Sequence, residues 1–141
     1  MINTEFPRIP DFRPRQNDEI GGLAVDFIPE NGLMFVIIAN YESFPLRECK
    51  ISFSETLPTA DGEKLNHLNI FKNLTYLSPG RKIRIFTGNL SSFLNSLREK
   101  KIVTVTIKYQ LPDGKKTAYS IKHNLSIYDD LPQIINEQNH E

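Results

Sequence analysis

From Leu23 onward the apolar residues fall mostly at a spacing of two, which is the period of a strand and not of a helix. Leu23, Val25 and Phe27 share one face of a short strand with Asp26 on the other, and Pro29-Glu30-Asn31-Gly32 turns the chain. Leu33 to Ala39 is apolar at every position. That predicts a central strand covered on both sides, or one sheet packed hard on another. The run ends in Asn40-Tyr41-Glu42-Ser43-Phe44-Pro45, after which Cys49, Ile51 and Phe53 alternate with Lys50, Ser52 and Ser54. Alternation fades between Pro58 and Asn73, where Thr59-Ala60-Asp61-Gly62-Glu63 reads as a loop. Leu65, Leu68 and Phe71 fit either a helical turn or residues tucked beneath the sheet. Leu77-Ser78-Pro79-Gly80 is a turn, followed by a strand in which Ile83 and Ile85 alternate with Lys82 and Arg84. After Gly88 the period changes: Leu90, Phe93, Leu94 and Leu97 recur at three and four. One short helix is expected there, with Asn89 or Ser91 accepting the free amide hydrogens of its first turn.

The last hairpin is the best-specified element. Val103, Val105, Ile107, Tyr109 and Leu111 face one way on one strand, and Tyr119, Ile121, His123, Leu125 and Ile127 face one way on the next. Both sets are odd-numbered, so placing them on the same side requires a loop with an odd number of residues. Pro112-Asp113-Gly114 supplies it: proline presets the first turn position and glycine accepts the left-handed conformation that closes a three-residue loop. About seven short strands, one helix and no strand-helix rhythm predict an all-β fold, a single antiparallel immunoglobulin-like β-sandwich. It is expected over residues 20–128. Residues 1–19 read as an extended arm containing Pro and Arg, because each proline disfavours helix in the residue before it. Residues 129–141 read as a polar, acidic tail.

The apolar strand ending in Asn40, the loop with Pro45, the strand Cys49 to Ser54, Leu77-Ser78-Pro79-Gly80 before a strand, and Val103 to Tyr109 with Asp113-Gly114 together resemble the immunoglobulin-like or CARDB-like modules of bacterial proteins. The chain departs from such modules in carrying Tyr41 and Glu42 where small residues often follow the Asn, and in lacking the Cys pair and core Trp of an antibody-type domain. The resemblance implies an adhesive or scaffolding role and transfers no catalytic residue.

Composition narrows the classes of function. At 141 residues the chain can bury a full core without a staple. Its lone Cys49 removes every internal disulfide and every Cys-paired metal motif, and burial is reason enough for it. The longest apolar run is far short of the ~18 residues of a membrane span. Glu5, Arg8 and Asp11 stand where a signal peptide would be apolar, so the expected location is cytoplasmic. His67, His123 and His140 have no second ligand at metal spacing, and His123 reads as a half-buried strand residue. There is no Gly-x-Ser-x-Gly elbow and no Gly-rich phosphate loop. Asp18-Glu19 and Asp129-Asp130 read as solvated charge. Asn73, Asn89 and Asn124 each match the N-glycosylation pattern, which without a signal peptide reads as Asn in turns. No catalysis, metal or cofactor is expected.

Charge is more informative. The net is zero, yet residues 72–122 hold eleven Lys or Arg against two acids, while residues 1–71 hold six against eleven. Lys108 and Lys122 fall on the even-numbered side of the hairpin with Thr104, Thr106, Ser120 and Asn124. One sheet should therefore present a basic, hydroxyl-rich surface, unless folding brings acidic strands alongside and neutralises it. The leading expectation is a non-catalytic interaction or accessory module that binds another protein. Its candidate residues are Phe6, Arg8, Phe12, Arg13 and Arg15 of the arm, which either packs on its own domain as a preliminary edge strand or, since its prolines pair poorly with a sheet, lies extended in a partner's groove. The alternative is nucleic-acid or polyanion binding through the basic half, using Lys108 and Lys122. A third, a small hydrolase or carbohydrate-binding protein, would need a cleft that the sequence does not show.

Overall fold

Leu23, Val25 and Phe27 bury their side chains and leave Asp26 exposed, as strand periodicity requires. They lie on β1 (Leu23–Glu30), which the two residues Asn31 and Gly32, both at positive φ, connect to β2 (Leu33–Asn40). A two-residue turn with φ positive at both positions carries the twist of its strands, so Asn-Gly fixes this register locally. The computed structural model describes residues 22–97 and 101–133. The remaining described elements are β3 (Leu46–Phe53), α1 (Asn69–Lys72), β4 (Leu74–Leu77), β5 (Lys82–Asn89), α2 (Leu90–Ser96), β6 (Ile102–Gln110) and β7 (Lys116–Asn124). Short 3-10 segments cover Leu65–His67 and Leu125–Gln133.

Seven strands form two antiparallel sheets, one ordered β1-β2-β5 and the other β4-β3-β6-β7. This is the expected all-β sandwich. Its chain order matches the constant-type immunoglobulin arrangement, except that the fourth strand lies beside the third instead of the fifth. Between the sheets Phe27, Met34, Val36, Ile38, Ile107 and Phe93 are all but inaccessible. Phe27 sits among three aromatic rings, with Phe53 at 6.2 Å, Phe93 at 6.1 Å and His123 at 5.0 Å between centroids. α2 closes the end of this core with Leu90, Phe93 and Leu94, and Asn89 caps it by accepting from the Ser92 amide.

The final hairpin has the expected register, with Ile107 opposite Tyr119 and Val105 opposite Ile121. The loop closes through Leu111 N–H to Lys115 C=O and Gly114 N–H to Leu111 C=O, and Gly114 has φ +89°. Ile51, Val105 and Ile107 are buried, whereas Ile121 is only partly so because β7 is an edge strand, and Phe53 because β4 pairs with β3 only as far as Cys49.

Two expectations need correction, and one strand is unexpected. Of the two readings of the run Leu33 to Ala39, one sheet packed on another holds and cover on both sides does not. The core side of the run, Met34, Val36 and Ile38, is fully buried, but Leu33 on the other side is 37% exposed, with Phe35 and Ile37 partly so. β3 alternates from Cys49 onward as expected, and upstream a bulge between Arg47 and Lys50 turns both Leu46 and Cys49 inward. The unexpected strand is β4, between the weakly patterned stretch that ends at Asn73 and the turn expected from Leu77, because four residues with Thr75 and Tyr76 exposed carry little period-two signal. Leu125 and Ile127 are not strand residues: β7 stops at Asn124 and the chain continues to Gln133 as two short 3-10 segments kinked at Asp130, with Lys101 pairing Asp129 at 3.1 Å.

Candidate functional site

The outer face of the four-stranded sheet collects the residues that point away from the core, and strand register sets which of them meet. One row across β3, β6 and β7 reads Arg47, Gln110, Lys116, and the next reads Lys50, Lys108, Ala118. A third reads Ser52, Thr106, Ser120, in which the Thr106 and Ser120 hydroxyls are 3.0 Å apart, and Thr104 lies opposite Lys122 in the fourth. Lys50 and Lys108 are therefore directly opposed. Like charges in that position repel and cost stability. The four strands carry a single acid, Glu48, against Arg47, Lys50, Lys108, Lys116 and Lys122. Among the described residues the ion pairs are Arg84 with Glu30, Lys101 with Asp129 and His123 with Asp26, so none neutralises this face.

Two shallow clefts cross the face. One of about 390 Å³ is lined by Glu48, Lys50, Lys108, Gln110 and Lys116. The other, of about 410 Å³, is lined by Lys50, Lys108, Ser52, Thr106, Asn66 and Lys72. They share Lys50 and Lys108 and so form one groove running from Lys116 to Lys72. The bulge shapes its first half: Glu48 holds φ +51°, an uncommon conformation for a residue with a side chain. Beneath it Cys49 faces the core, and burial, then the Glu48 charge, pushes its thiol up to about 11. That thiol is a packing group.

Lys108 and Lys122 stand on one face as the alternation requires, but a row of hydroxyls separates them. The partner of Lys108 is Lys50, which the sequence placed on the correct side of its own strand without revealing its neighbour. Arg47, Lys72 and Lys116 join them for the same reason. The acidic first half contributes β3 to this sheet, and β3 brings two cations for its one carboxylate. Phe6, Arg8, Phe12, Arg13 and Arg15 lie outside the described residues.

His123 lies at the seam between β7 and β1. Burial lowers its pKa below the usual imidazole value, against the opposing pull of the Asp26 carboxylate and a backbone contact with Val25. Its Nδ1 is 3.8 Å from Asp26, its ring meets the Phe27 ring edge-on, and its Nε2 is buried without a hydrogen-bond partner among the described residues. Asn89 and Asn124 act locally, Asn89 as the cap of α2 and Asn124 as acceptor from the Ser126 amide and hydroxyl. Among the described residues no three His, Cys, Asp or Glu side chains converge as a metal site, and no helix is long and apolar enough to cross a membrane.

No curated protein and no solved structure matches this sequence. Residues 15–129, the span that holds both sheets and the basic groove, match the family described as a domain of unknown function, DUF8453, and the chain belongs to that family.

Proposed function

We propose that this domain is a non-catalytic binding module that takes an acidic segment of another protein along the groove of its four-stranded sheet. The observation that carries the reading is the direct opposition of Lys50 and Lys108 with no carboxylate in ion-pair distance among the described residues. An anionic chain laid between them converts a repulsive pair into two charge-assisted contacts. Lys116 and Lys72 extend the same field to both ends of the groove, and Ser52, Thr106 and Gln110 offer donors for carboxylate oxygens. The runner-up partner is nucleic acid. Tyr76, beside Arg47 at 5.0 Å from ring to guanidinium, is the aromatic side chain this face exposes at its β4 edge, and one ring makes a poor stacking platform for bases.

Titration with a glutamate-rich peptide and with a single-stranded oligonucleotide separates the two. Peptide binding that weakens steeply with salt and disappears in the double variant Lys50→Glu/Lys108→Glu is the expected result. Binding of the oligonucleotide but not the peptide transfers the groove to nucleic acid. Binding of both ligands unchanged in the double variant removes the groove from consideration.

A further inference from the structure

The opposite sheet turns an unusual face outward. Across its three strands the outward residues fall in rows: Asp26, Ile37 and Arg84 in one, Ile28, Phe35 and Phe86 in the next, with Glu30 beside Leu33 beyond. The outer side of such a sheet is ordinarily polar. Here its middle column is Leu33, Phe35 and Ile37, and Leu33 and Phe86 are 37% and 45% exposed. The charges are sorted by strand: the acids Asp26 and Glu30 are on β1, and the bases Lys82 and Arg84 are on β5. Each flank thus carries one sign, with Arg84 reaching across Phe35 to Glu30 of the same copy.

We infer that this face binds a second copy of the chain, sheet against sheet, about a twofold axis parallel to β2. That operation turns β1 of one copy over β5 of the other. Leu33 and Ile37 then meet their counterparts in the mate, and Asp26 of each copy comes to lie over Arg84 of the other, which stands in its row. The other face-to-face twofold, with its axis across the strands, would set acid on acid and base on base, so the charge order selects the axis parallel to β2, about which one patch serves both subunits. Arg84 is already fixed in position, with its guanidinium 3.9 Å over the Phe35 ring and paired with Glu30. A guanidinium has five donors in a planar fork, which leaves some for a second carboxylate. Three eight-residue strands make a footprint of only about 26 by 14 Å from the usual rise and strand spacing. At ~730 Å² for the pair this falls below the ~1,000 Å² of a stable specific interface, so the dimer is weak, transient and dependent on concentration.

Sedimentation velocity over a range from about ten to several hundred micromolar should show the wild type moving toward dimer. Asp26→Arg alone and Arg84→Glu alone should each stay monomeric, because each homodimer opposes like charges twice. Their equimolar mixture should dimerise, since both contacts are then complementary. Phe86→Ser, an exposed position where truncation spares the core, should be monomeric with an unchanged melting temperature. Lys50→Glu/Lys108→Glu should dimerise like the wild type. The inference is overturned if the wild type is monomeric throughout, or if the mixture stays monomeric while both variants melt like the parent. It is equally overturned if a chain lacking residues 1–21 dimerises where the full chain does not, which would make that segment the occupant of the face.

Discussion

Asn40 shows how one buried polar side chain organises a loop. Its Nδ2 donates toward the carbonyls of Phe44, Leu77 and Ser78, and its Oδ1 accepts from the Glu42 amide. It ties the loop after β2 to the turn between β4 and β5. Replacing it by Ala removes the donor to the buried Leu77 carbonyl and to the part-buried Phe44 and Ser78 carbonyls, at about 1–3 kcal/mol for each group left unsatisfied, so Asn40→Ala should lose about 2 kcal/mol in urea denaturation. A loss below about 0.5 kcal/mol would show that water reaches those carbonyls. His123 gives a pH dependence of definite sign. Its pKa is lowered in the fold, so below the ordinary imidazole value the unfolded chain binds a proton that the folded chain resists. This contribution to stability is complete above about pH 6.5 and is lost as pH falls from there toward the depressed folded value. The melting temperature should drop between pH 8 and pH 5, and His123→Gln should flatten that part of the profile. An unchanged slope in the variant would assign the drop to other groups.

Among the elements, the β6-β7 hairpin is the most completely specified, since turn chemistry and face assignment agree. A Cβ placed on Gly114 would meet nothing closer than the Gln110 Nε2 at 3.7 Å, so space is available and the constraint is conformational. Gly114→Val should cost about 1–3 kcal/mol, the usual penalty for holding a bulky residue in a region it rarely adopts. Gly114→Asn should recover most of that, because Asn tolerates the left-handed region. Ile107→Ala, in the fully buried centre of β6, should cost about 2–5 kcal/mol through lost burial and the cavity left behind. If that variant melted with the parent, the core would not depend on the odd-numbered face of β6.

Across the molecule the two outward sheet faces differ in kind, one basic and hydroxylated, the other apolar with sorted charges. The first carries a cost that can be measured. Lys108→Glu converts the Lys50 pair from repulsive to attractive, so it should raise stability by about 0.2–1 kcal/mol while weakening capture of an acidic peptide. A variant that gains stability and loses binding shows a surface kept for a ligand. One that loses both would mean that Lys108 serves the fold.

Much of this architecture is legible in the chain. Side-chain direction in a strand depends only on residues two apart, so Leu23, Val25 and Phe27, the odd face of β6, and the outward position of Lys108 and Lys122 all follow from local alternation. Asn31-Gly32 and Pro112-Asp113-Gly114 fix two hairpins for the same reason, through backbone preferences that act within a few residues. Which strands lie side by side is a different matter, because pairing is settled by burial over long separations. Lys50 meets Lys108 across fifty-eight residues of chain only because β3 pairs with β6, and the bulge at Glu48 adjusts that register in a way no local period signals. Likewise Leu33 to Ala39 is apolar on both sides in sequence, but only the packing of the two sheets decides that Met34, Val36 and Ile38 are covered while Leu33 is left in contact with solvent.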